Sequence, residues 1–425
     1  MRLTRRAFVG VLATVTESVL SGTRAKAQIP ARLRHPPDRT DLAAIGARLR
    51  ERFPDLQRRF VFEYYPWYGT DPWRHWNEAG RVPPVDIAAT AVPALGAYDS
   101  HSVRVIEQHA KWIREAGVGA INVSWWGPSK GTDTIMDVMR DHDLKVTFHL
   151  EPYGPSRAER YADDIRYLLR EHGEKRRWDA LLLLRDERGR EMPVFKSFGT
   201  IKPPTSVDCL GREHRERLYV SDALWRRQTD SVREIVRHDF DRILLLCDST
   251  NLGRVEAGGF DGVVPFSNRM PLEQRANVAK SCASRDLLFS FNVNPGFEGV
   301  RLREPPSDPC YRPPSFDPPL ERPIDWSDRA DRARAERLSM SRIRRSLTTS
   351  LDLQTRPELT NNPRGFFLVY INSFNEWHEG HAFEPAKDYD DLTAVERHLG
   401  YHNPNNGSYR LEYLKRVLSE ILSDA

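Results

Sequence analysis

The chain has 425 residues, more than twice a typical domain of ~100–200 residues, so it holds either two domains or one large barrel. A composition of 39% hydrophobic and 10% aromatic residues allows a sizeable core, and 30 prolines with 25 glycines fall short of the ~25–30% share typical of low-complexity chains. The formal charge of +4 suggests an anionic partner, yet residues 1–27 hold five basic side chains and one acidic one, so the remainder is neutral. Acidic residues also interleave with the arginines of residues 327–347, which favours a solvated helix face, and we expect no nucleic-acid partner.

The first 27 residues resemble an export signal. The run Thr4–Val9 contains a twin-arginine pair, a mildly apolar segment follows to Leu20, and Ala25–Ala27 forms an Ala-x-Ala end. This order predicts cleavage before Gln28 and export by the twin-arginine machinery to the periplasm or the medium. A frayed amphipathic helix is the alternative. Since no other run approaches the ~18 apolar residues of a membrane helix, we expect no stable membrane insertion after the signal is removed.

Residues 28–57 form a proline- and arginine-containing lead and a short helix over 41–53, with Thr40 or Asp41 as its N-cap. Residues 58–425 then alternate between strands and helices as one domain. Eight β-rich runs are predicted at 59–65, 119–124, 145–150, 193–198, 242–246, 262–265, 287–292 and 366–372. Helical patterns lie between them at 102–116, 132–142, 158–171, 222–238, 272–283 and 327–347.

Near-continuous apolar strands separated by helices predict a parallel sheet buried on both faces, and eight strands suit an α/β fold of the (β/α)8 barrel type. A doubly wound sheet is the alternative, although no Gly-x-Gly-x-x-Gly turn follows the first strand. Two long insertions are predicted in the βα loops. Residues 303–323 carry eight prolines and should cover one face of the barrel, and the polar stretch 196–219 should belong to the same loop system.

The four cysteines separate into two pairs by context. Cys247 and Cys282 fall in an apolar run and a helical pattern, which predicts buried thiols. Cys209 and Cys310 lie in loop-like sequence and could pair in an oxidising compartment, but the sequence does not decide this. No Cys-x-x-Cys spacing indicates structural zinc.

The densest chemical cluster is Ser373–Gly380, directly after the last predicted strand. It places Glu376 and Glu379 beside Asn375 and His378 at the carboxyl end of a barrel strand, where barrel enzymes carry their active sites. Two carboxylates in an aromatic setting can act as acid and base, since burial raises one pKa while the other stays ionised. A capping pair at a helix start is the alternative. The position four after His378 is Ala382, so the His-Glu-x-x-His spacing of a zinc site is missing, and no metal or other cofactor is expected.

Aromatic residues end several other predicted strands. Tyr64, Tyr65 and Trp67 close the first strand and His75 and Trp76 follow in loop-like sequence; Trp126 closes the second strand, and Glu151 and Tyr153 the third. Aromatic faces with polar tips suit the C–H faces of sugar rings, although core packing would also explain them. The pattern predicts a carbohydrate-active hydrolase with an oligosaccharide or polysaccharide substrate.

These motifs together resemble glycoside hydrolase family 99, which comprises endo-α-mannosidases and endo-α-1,2-mannanases. The resemblance rests on 64–69 with His75-Trp76, on 124–127 and 151–153, and on 373–380 with Glu384-Pro385-Ala386. It implies a single barrel that cleaves inside α-mannosyl chains with retention and without metal. By resemblance, Glu376 is the base that deprotonates the sugar 2-hydroxyl and Glu379 is the general acid/base. The resemblance also implies sugar contacts for Tyr64, Tyr65, Trp126 and Glu151.

Three segments depart from the family pattern and affect the expected specificity. Residues 380–386 read Gly-His-Ala-Phe-Glu-Pro-Ala where the family usually has Gly-Thr-Gln-Ile-Glu-Pro-Ala; residues 262–266 lack two tyrosines; and 295–297 with 301–305 match only loosely. The remaining candidate substrate contacts are Trp67, His75, Trp76, Tyr153, Arg303, Asn375 and Glu384. A non-catalytic sugar-binding barrel for glycan uptake or envelope assembly is the alternative from another class of protein.

Overall fold

The computed structural model describes residues 41–128, 130–173, 177–186, 188–266, 270–314, 316–317, 320 and 322–423. The predicted export signal and most of the predicted lead lie outside these residues. Eight parallel strands form the centre: β1 (Phe60–Tyr64), β2 (Ala120–Trp125), β3 (Lys145–Leu150), β4 (Glu191–Ser197), β5 (Leu244–Cys247), β6 (Gly262–Val263), β7 (Leu288–Phe289) and β8 (Val369–Ile371).

The eight strands close into a barrel. Hydrogen-bonded neighbours follow the order β7-β6-β5-β4-β3-β2-β1-β8. Beyond the end of β7, Val293 forms a parallel bridge with Ile371 of β8, and its N–H donates to the Tyr370 carbonyl at 2.8 Å. The N–H of Asn372 returns a 2.8 Å bond to the Val293 carbonyl. The predicted (β/α)8 barrel and all eight of its strands are therefore confirmed, with strand ends shifted by a few residues.

Helices surround the barrel. They are α1 (Leu42–Arg52), α2 (Val103–Glu115), α3 (Lys130–Asp141), α4 (Pro155–Ala158), α5 (Tyr161–Gly173), α6 (Asp222–Val236), α7 (Leu252–Ala257), α8 (Leu272–Ala283), α9 (Arg329–Thr355), α10 (Ala394–His398) and α11 (Tyr409–Leu422). Asp41 caps α1 by accepting from the Ala44 N–H at 3.0 Å, as one of the two predicted caps. The sequence patterns missed α4, α7, α10 and α11. No helix among the described residues is long and apolar enough to cross a bilayer.

The sequence pattern ended α9 eight residues too early, because its buried face beyond residue 347 mixes polar with apolar side chains. Ser350 donates to the Phe291 carbonyl at 3.3 Å, and Gln354 Nε2 donates to the Leu368 carbonyl at 3.0 Å. Leu351 and Leu353 are also buried there, so the hydroxyl and amide groups interrupt the apolar pattern that marks a buried helical face in sequence. The helix ends at Thr355, two residues before Pro357. The proline ring disfavours helical geometry in the residue that precedes it, Arg356.

Alternation along the strands sorts the core into two zones. In β1, Phe60, Phe62 and Tyr64 pack outward against the helices, whereas Val61 joins the apolar interior of the barrel. Glu63 has the same inward parity and lies one layer higher. The lower interior of the barrel is filled by apolar side chains, and the upper layer carries polar side chains. The site is built on this upper layer.

Two loop insertions meet above the barrel. A ribbon of Thr205–Val207 and Glu213–Arg215 follows β4, and Cys209 beside it forms a disulfide with Cys310 in the proline-rich insertion. The two insertions therefore form one loop system, as predicted. The assignment of Lys196 to the insertion was wrong: Lys196 is fully buried in β4, because its pairing with Leu246 of β5 continues the sheet to this point. Cys247 and Cys282 are buried free thiols, as predicted.

Candidate active site

The segment after β8 is held rigidly by its backbone contacts. The N–H of Glu376 donates to Ser373 Oγ at 2.9 Å, and the N–H of Trp377 donates to the Tyr68 hydroxyl at 2.8 Å. A short 3-10 helix, Trp377–Glu379, then ends at Gly380, whose φ of 68° is left-handed. A Cβ on Gly380 would lie 2.2 Å from the Glu298 carbonyl oxygen, so only glycine fits this turn.

Glu376 and Glu379 converge on one histidine, His381. Its Nε2 lies 2.9 Å from Glu379 Oε2 and 3.1 Å from Glu376 Oε2. The geometry of the shorter contact is that of a hydrogen bond to Glu379, whereas Glu376 is contacted as a neighbouring charge. One polar atom from each of the three side chains lies within 4.8 Å of those from the other two. The Glu376 side chain is 5% exposed and that of Glu379 is 13% exposed, so the pair is largely withdrawn from water.

Burial controls the electrostatics of this cluster. Burial, reinforced by the negative charge of Glu379, raises the pKa of Glu376 above its ordinary value, against the opposing effect of His381. Burial would lower the pKa of His381, but its contacts with Glu376 and Glu379 raise it to about 9. At neutral pH His381 is therefore an imidazolium, because the two glutamates stabilise the proton on its ring.

A second buried cluster forms the floor below the carboxylates. Glu63 accepts 2.9 Å hydrogen bonds from Asn122 Nδ2 and from His149 Nδ1, and it also forms an ion pair with Lys196. All four side chains are at most 2% exposed. Burial alone would raise the pKa of Glu63, but Lys196 and His149 hold it at about 2. Glu63 is therefore a fixed negative charge inside the barrel.

Aromatic rings line one side of the carboxylates. The Trp67 ring stacks on His75 with centroids 4.7 Å apart, and it lies 4.7 Å from Tyr65 and 5.3 Å from His378. His378 Nδ1 is 3.2 Å from the Tyr68 hydroxyl. After burial, the charge of Glu376 contributes most to the raised pKa of Tyr65, so this phenol belongs to the carboxylate cluster.

Trp126 and Glu151 are linked through Ser124. The indole N–H of Trp126 donates to Ser124 Oγ at 3.2 Å, and the Ser124 hydroxyl donates to Glu151. Glu151 is buried, and burial raises its pKa against the effects of His149 and Ser124. Trp126 is 49% exposed at the rim, where a large apolar face meets solvent. These residues form the side of the site that β2 and β3 contribute.

Several predicted substrate contacts lie behind this surface. Asn375 Oδ1 accepts from the Tyr65 N–H at 2.8 Å and its Nδ2 donates to the Tyr65 carbonyl at 3.0 Å, so Asn375 fixes the Tyr65 backbone. Glu384 Oε2 accepts from the Tyr98 hydroxyl at 2.7 Å and from Trp377 Nε1 at 2.8 Å. Both Asn375 and Glu384 use their polar atoms to hold neighbouring residues of the site.

Three further predicted contacts are packed into the core. The Tyr64 hydroxyl bonds to His109 Nδ1 at 3.0 Å, Trp76 Nε1 donates to the Tyr98 carbonyl at 2.8 Å, and the Tyr153 hydroxyl donates to Asp164 at 2.8 Å. Tyr64, Trp76 and Tyr153 are fully buried. Arg303 is 43% exposed on the surface, where it pairs with Asp86 at 2.6 Å. The structure thus gathers Glu376, Glu379, Tyr65, Trp67, His75, Trp126 and Glu151 around the site and places the other candidates around or beneath them.

Sequence reasoning missed His381, Glu63 and Lys196. His381 follows the carboxylate block and was noted only as a departure from the family pattern. Glu63 sits within an otherwise apolar strand, and its inward direction follows from the alternation of β1 once the barrel closes. A single charged residue inside an apolar strand run was the signal that could have indicated Glu63.

Within the described part of the chain, two groups of side chains bring metal-ligand atom types together: His75 with Glu78 and His378, and His381 with Glu376 and Glu379. His75 Nδ1 lies 2.8 Å from Glu78 Oε1, and His381 Nε2 lies 2.9 Å from Glu379 Oε2. Two ligands on one tetrahedral zinc with ~2.0–2.1 Å bonds would stand roughly 3.3 Å apart. Both separations are hydrogen-bond lengths, so the groups fit ion pairs better than a tetrahedral metal site.

A (β/α)8 barrel with two buried carboxylates beside aromatic rings at the carboxyl ends of its strands defines the class of carboxylate-dependent glycoside hydrolases. Three comparisons with known proteins agree with this class. The model of glycosyl hydrolase family 99 matches residues 57–195, which run from just before β1 into β4.

Relatives and solved structures extend the match over most of the chain. The chain is 26% identical over 410 residues to the glycoprotein endo-alpha-1,2-mannosidase of Mus musculus, covering 88% of this chain and 77% of that protein. It is also 26% identical over 392 residues to a glycoprotein endo-alpha-1,2-mannosidase-like protein of Danio rerio, covering 83% and 76%. The solved family 99 endo-alpha-mannosidase of Bacteroides thetaiotaomicron superposes with a TM-score of 0.55 at 20% identity, covering 87% of this chain and 99% of that one.

The resemblance to glycoside hydrolase family 99 is confirmed, and the chain is a glycoside hydrolase whose substrate is an oligosaccharide. The matched span of the family model ends before the carboxylate block. The roles of Glu376 and Glu379 therefore depend on the geometry of the site.

Proposed function

We propose that the protein is an exported, retaining endo-glycosidase that hydrolyses α-mannoside linkages within oligosaccharides. In this proposal Glu376 is the base toward the sugar 2-hydroxyl and Glu379 is the general acid/base. The observation that carries the proposal is the convergence of the two carboxylates at the end of β8, within 4.8 Å of each other and beside the Trp67 ring system.

The separation of the carboxylates supports retention of configuration. Inverting glycosidases keep their two carboxyl groups ~6.5–9.5 Å apart to admit a water between them, whereas retaining enzymes keep them at ~5–5.5 Å. The Oε2 atoms of Glu376 and Glu379 both contact His381 Nε2, at 3.1 Å and 2.9 Å, and this close approach is nearer to the retaining than to the inverting spacing.

The proposed reaction has two proton-balanced steps. In the first, Glu376 takes the proton of the 2-hydroxyl, whose oxygen attacks C1 as the glycosidic C1–O bond breaks, while Glu379 gives its proton to the departing oxygen. In the second, Glu379 takes a proton from water as the water oxygen attacks C1, the C1–O2 bond of the 1,2-anhydro sugar opens, and Glu376 returns its proton to O2. Each carboxylate ends in its starting state, so one pair serves both steps.

The mannoside assignment rests on the relatives, which are named as endo-alpha-1,2-mannosidases. Trp126 at the rim and Trp67 beside the carboxylates offer flat apolar faces to sugar rings. The neutral body of the chain suits an uncharged glycan.

Export is supported by two features of the chain. The twin-arginine pattern precedes Gln28, and Cys209 forms a disulfide with Cys310, as proteins of oxidising compartments commonly do. Replacing Arg5 and Arg6 with lysine in the full-length chain should retain the protein in the cytoplasm, as measured by cell fractionation. Unchanged export of that variant would refute the twin-arginine route.

The substrate proposal is tested with a panel of α-linked manno- and gluco-oligosaccharides. The mature protein should release fragments longer than one sugar from the α-mannosides, as identified by mass, and the new reducing end should first appear as the α-anomer by NMR. Release of single sugars only would contradict endo action. Binding across the panel without turnover would favour the sugar-binding alternative.

The residue roles are tested with Glu376→Gln and Glu379→Gln. Each should lower kcat by ~10²–10⁴-fold, because each removes one proton-transfer group while keeping the shape of the side chain. Glu256→Gln is a matched control, since Glu256 is 54% exposed in a surface pair with Arg285. Near-normal turnover by either active-site variant would refute the assigned roles.

A further inference from the structure

His381 is positioned to act on both carboxylates at once. Its side chain is fully buried, and its Nε2 reaches Glu379 Oε2 at 2.9 Å and Glu376 Oε2 at 3.1 Å. Two phenylalanine rings enclose the imidazole: Phe297 stacks on it with centroids 6.0 Å apart, and Phe266 meets it edge-on at 6.3 Å. These ring contacts restrict the imidazole, whose Nε2 faces the carboxylates.

The carboxylates need such a partner if Glu376 is to act as a base. A base must lose its proton before it can accept one, yet burial favours the protonated form of Glu376, and the charge of Glu379 does so as well while Glu379 is ionised. Even with His381 present, the pKa of Glu376 is about 8. A positive charge at 3.1 Å opposes both effects, because an opposite charge within ~4–6 Å favours the ionised carboxylate by ~1–3 pH units.

We propose that His381 is a positioning residue for catalysis, which holds Glu379 through its Nε2–H and, by its positive charge, lowers the pH at which Glu376 becomes ionised. This inference rests on the proposed function, since it assigns the base role to Glu376. The raised pKa of His381, about 9, agrees with a charged imidazole at neutral pH.

Other charged and titratable groups face the cluster and must be considered in any pH dependence. His378 Nε2 lies 3.7 Å from Glu376 Oε1, but burial lowers the pKa of His378, which keeps it neutral. Tyr65 lies beside the carboxylates as a neutral phenol, because burial and their charges raise its pKa well above the usual value. Glu151 adds negative charge when ionised. Lys196 lies 6.0 Å from the centre of the Phe266 ring and is paired with Glu63. His381 is thus the cation in direct contact with the pair among the described residues.

The test compares the pH profile of kcat/KM for wild type, His381→Asn and His381→Thr on an α-manno-oligosaccharide that the wild type cleaves. Removing the charge should move the acid limb of the profile upward by ~1–3 pH units in both variants. His214→Asn is the matched control, since His214 is 54% exposed and lies 2.9 Å from Asp208 Oδ2 in a surface ion pair. Its profile should overlay that of the wild type.

A profile of unchanged shape with a uniformly lower kcat in both His381 variants would overturn the proposal, because a merely structural residue would give that result. Loss of wild-type activity in a chelator, restored by a divalent cation, would also overturn it, since His381 would then be a metal ligand. If circular dichroism shows that His381→Asn does not fold, the pH profile of His381→Thr decides the test.

A substrate-free measurement separates this inference from the proposed function. In a pH series of infrared difference spectra, the protonated-carboxyl band of Glu376 should persist to higher pH in His381→Asn than in the wild type, and it should vanish in His381→Asn/Glu376→Gln. Loss of the band at the same pH in both proteins would refute the role of His381 whatever the enzyme cleaves. If no glycan is cleaved by the wild type, the proposed function fails, while the infrared result still decides the charge state of Glu376.

Discussion

Replacing Lys196 with methionine should leave the buried Glu63 carboxylate without its main ion-pair partner. Lys196 and Glu63 are both fully buried, and methionine keeps the length of the side chain while removing its charge. The pKa of Glu63, about 2, lies roughly two units below the ordinary glutamate value of ~4.3, and each unit corresponds to ~1.4 kcal/mol. The net shift, which already includes the cost of burial, corresponds to ~3 kcal/mol of stabilisation at neutral pH, comparable to the ~3–5 kcal/mol lost when one partner of a buried ion pair is removed.

The pH dependence of the loss has a definite sign. In the wild type the pKa of Glu63 is depressed on folding, so its stabilisation is present above the unfolded value near 4.3 and is lost as pH falls toward 2. Without Lys196, burial raises the pKa of Glu63 above the unfolded value, and the penalty is then largest at neutral pH and shrinks as pH falls through that raised value. The variant should therefore lose ~3 kcal/mol of unfolding free energy at pH 7 and less at pH 5.

The assay is urea unfolding at pH 7 and pH 5, followed by tryptophan fluorescence. A double variant, Lys196→Met/Glu63→Gln, should be more stable at pH 7 than Lys196→Met alone, since it removes the unpaired charge. Arg185→Met is the surface control, because Arg185 is 65% exposed in its pair with Glu191 and should cost at most ~1 kcal/mol. Equal losses at both pH values, with the double variant less stable than the single one, would refute the reasoning.

Two further predictions concern the rim and the loop system. Trp126→Ala should raise KM with little change in unfolding free energy, since the ring is 49% exposed; steady-state kinetics that show a normal KM would contradict a sugar contact for Trp126. Cys209→Ser/Cys310→Ser removes a disulfide between residues 101 apart in sequence and should lower the unfolding free energy by ~2–4 kcal/mol. Urea unfolding measures this loss, with the reduced wild type as a second reference. A loss below ~1 kcal/mol would show that the loops are held by other contacts.

The barrel could be predicted because its strands are short apolar runs at regular intervals. The limits of prediction appear where burial is polar. The last turns of α9 bury Ser350 and Gln354, and hydropathy therefore ended the helix before these turns. The upper barrel layer buries Glu63 and Lys196, and hydropathy therefore extended a surface loop to include Lys196. Polar groups can be buried there because each is hydrogen-bonded or paired, and those partners come from distant parts of the chain.

The candidate site could be predicted at the level of its strand ends, since the carboxyl ends of all barrel strands meet on one face. The direction in which each side chain points could not be predicted. Tyr64 and Tyr65 are adjacent in sequence, yet Tyr64 points outward to His109 while Tyr65 points to the carboxylates, because alternation sends neighbours to opposite faces. Tyr153 likewise follows Glu151 but bonds to Asp164 of α5. Packing partners decide which aromatic residues face a ligand.

The role of the sugar 2-hydroxyl is the central claim of the proposed mechanism, and a substrate without that group tests it most directly. Hydrolysis of an α-mannoside should be compared with that of the same compound lacking the 2-hydroxyl on the sugar that carries the cleaved bond. If Glu376 acts by deprotonating this hydroxyl, the deoxy compound should bind competitively and show no turnover, even though removing the oxygen makes the glycosidic bond intrinsically more labile. Turnover of the deoxy compound at a rate comparable to the parent would show direct attack by a carboxylate and contradict the assigned role of Glu376.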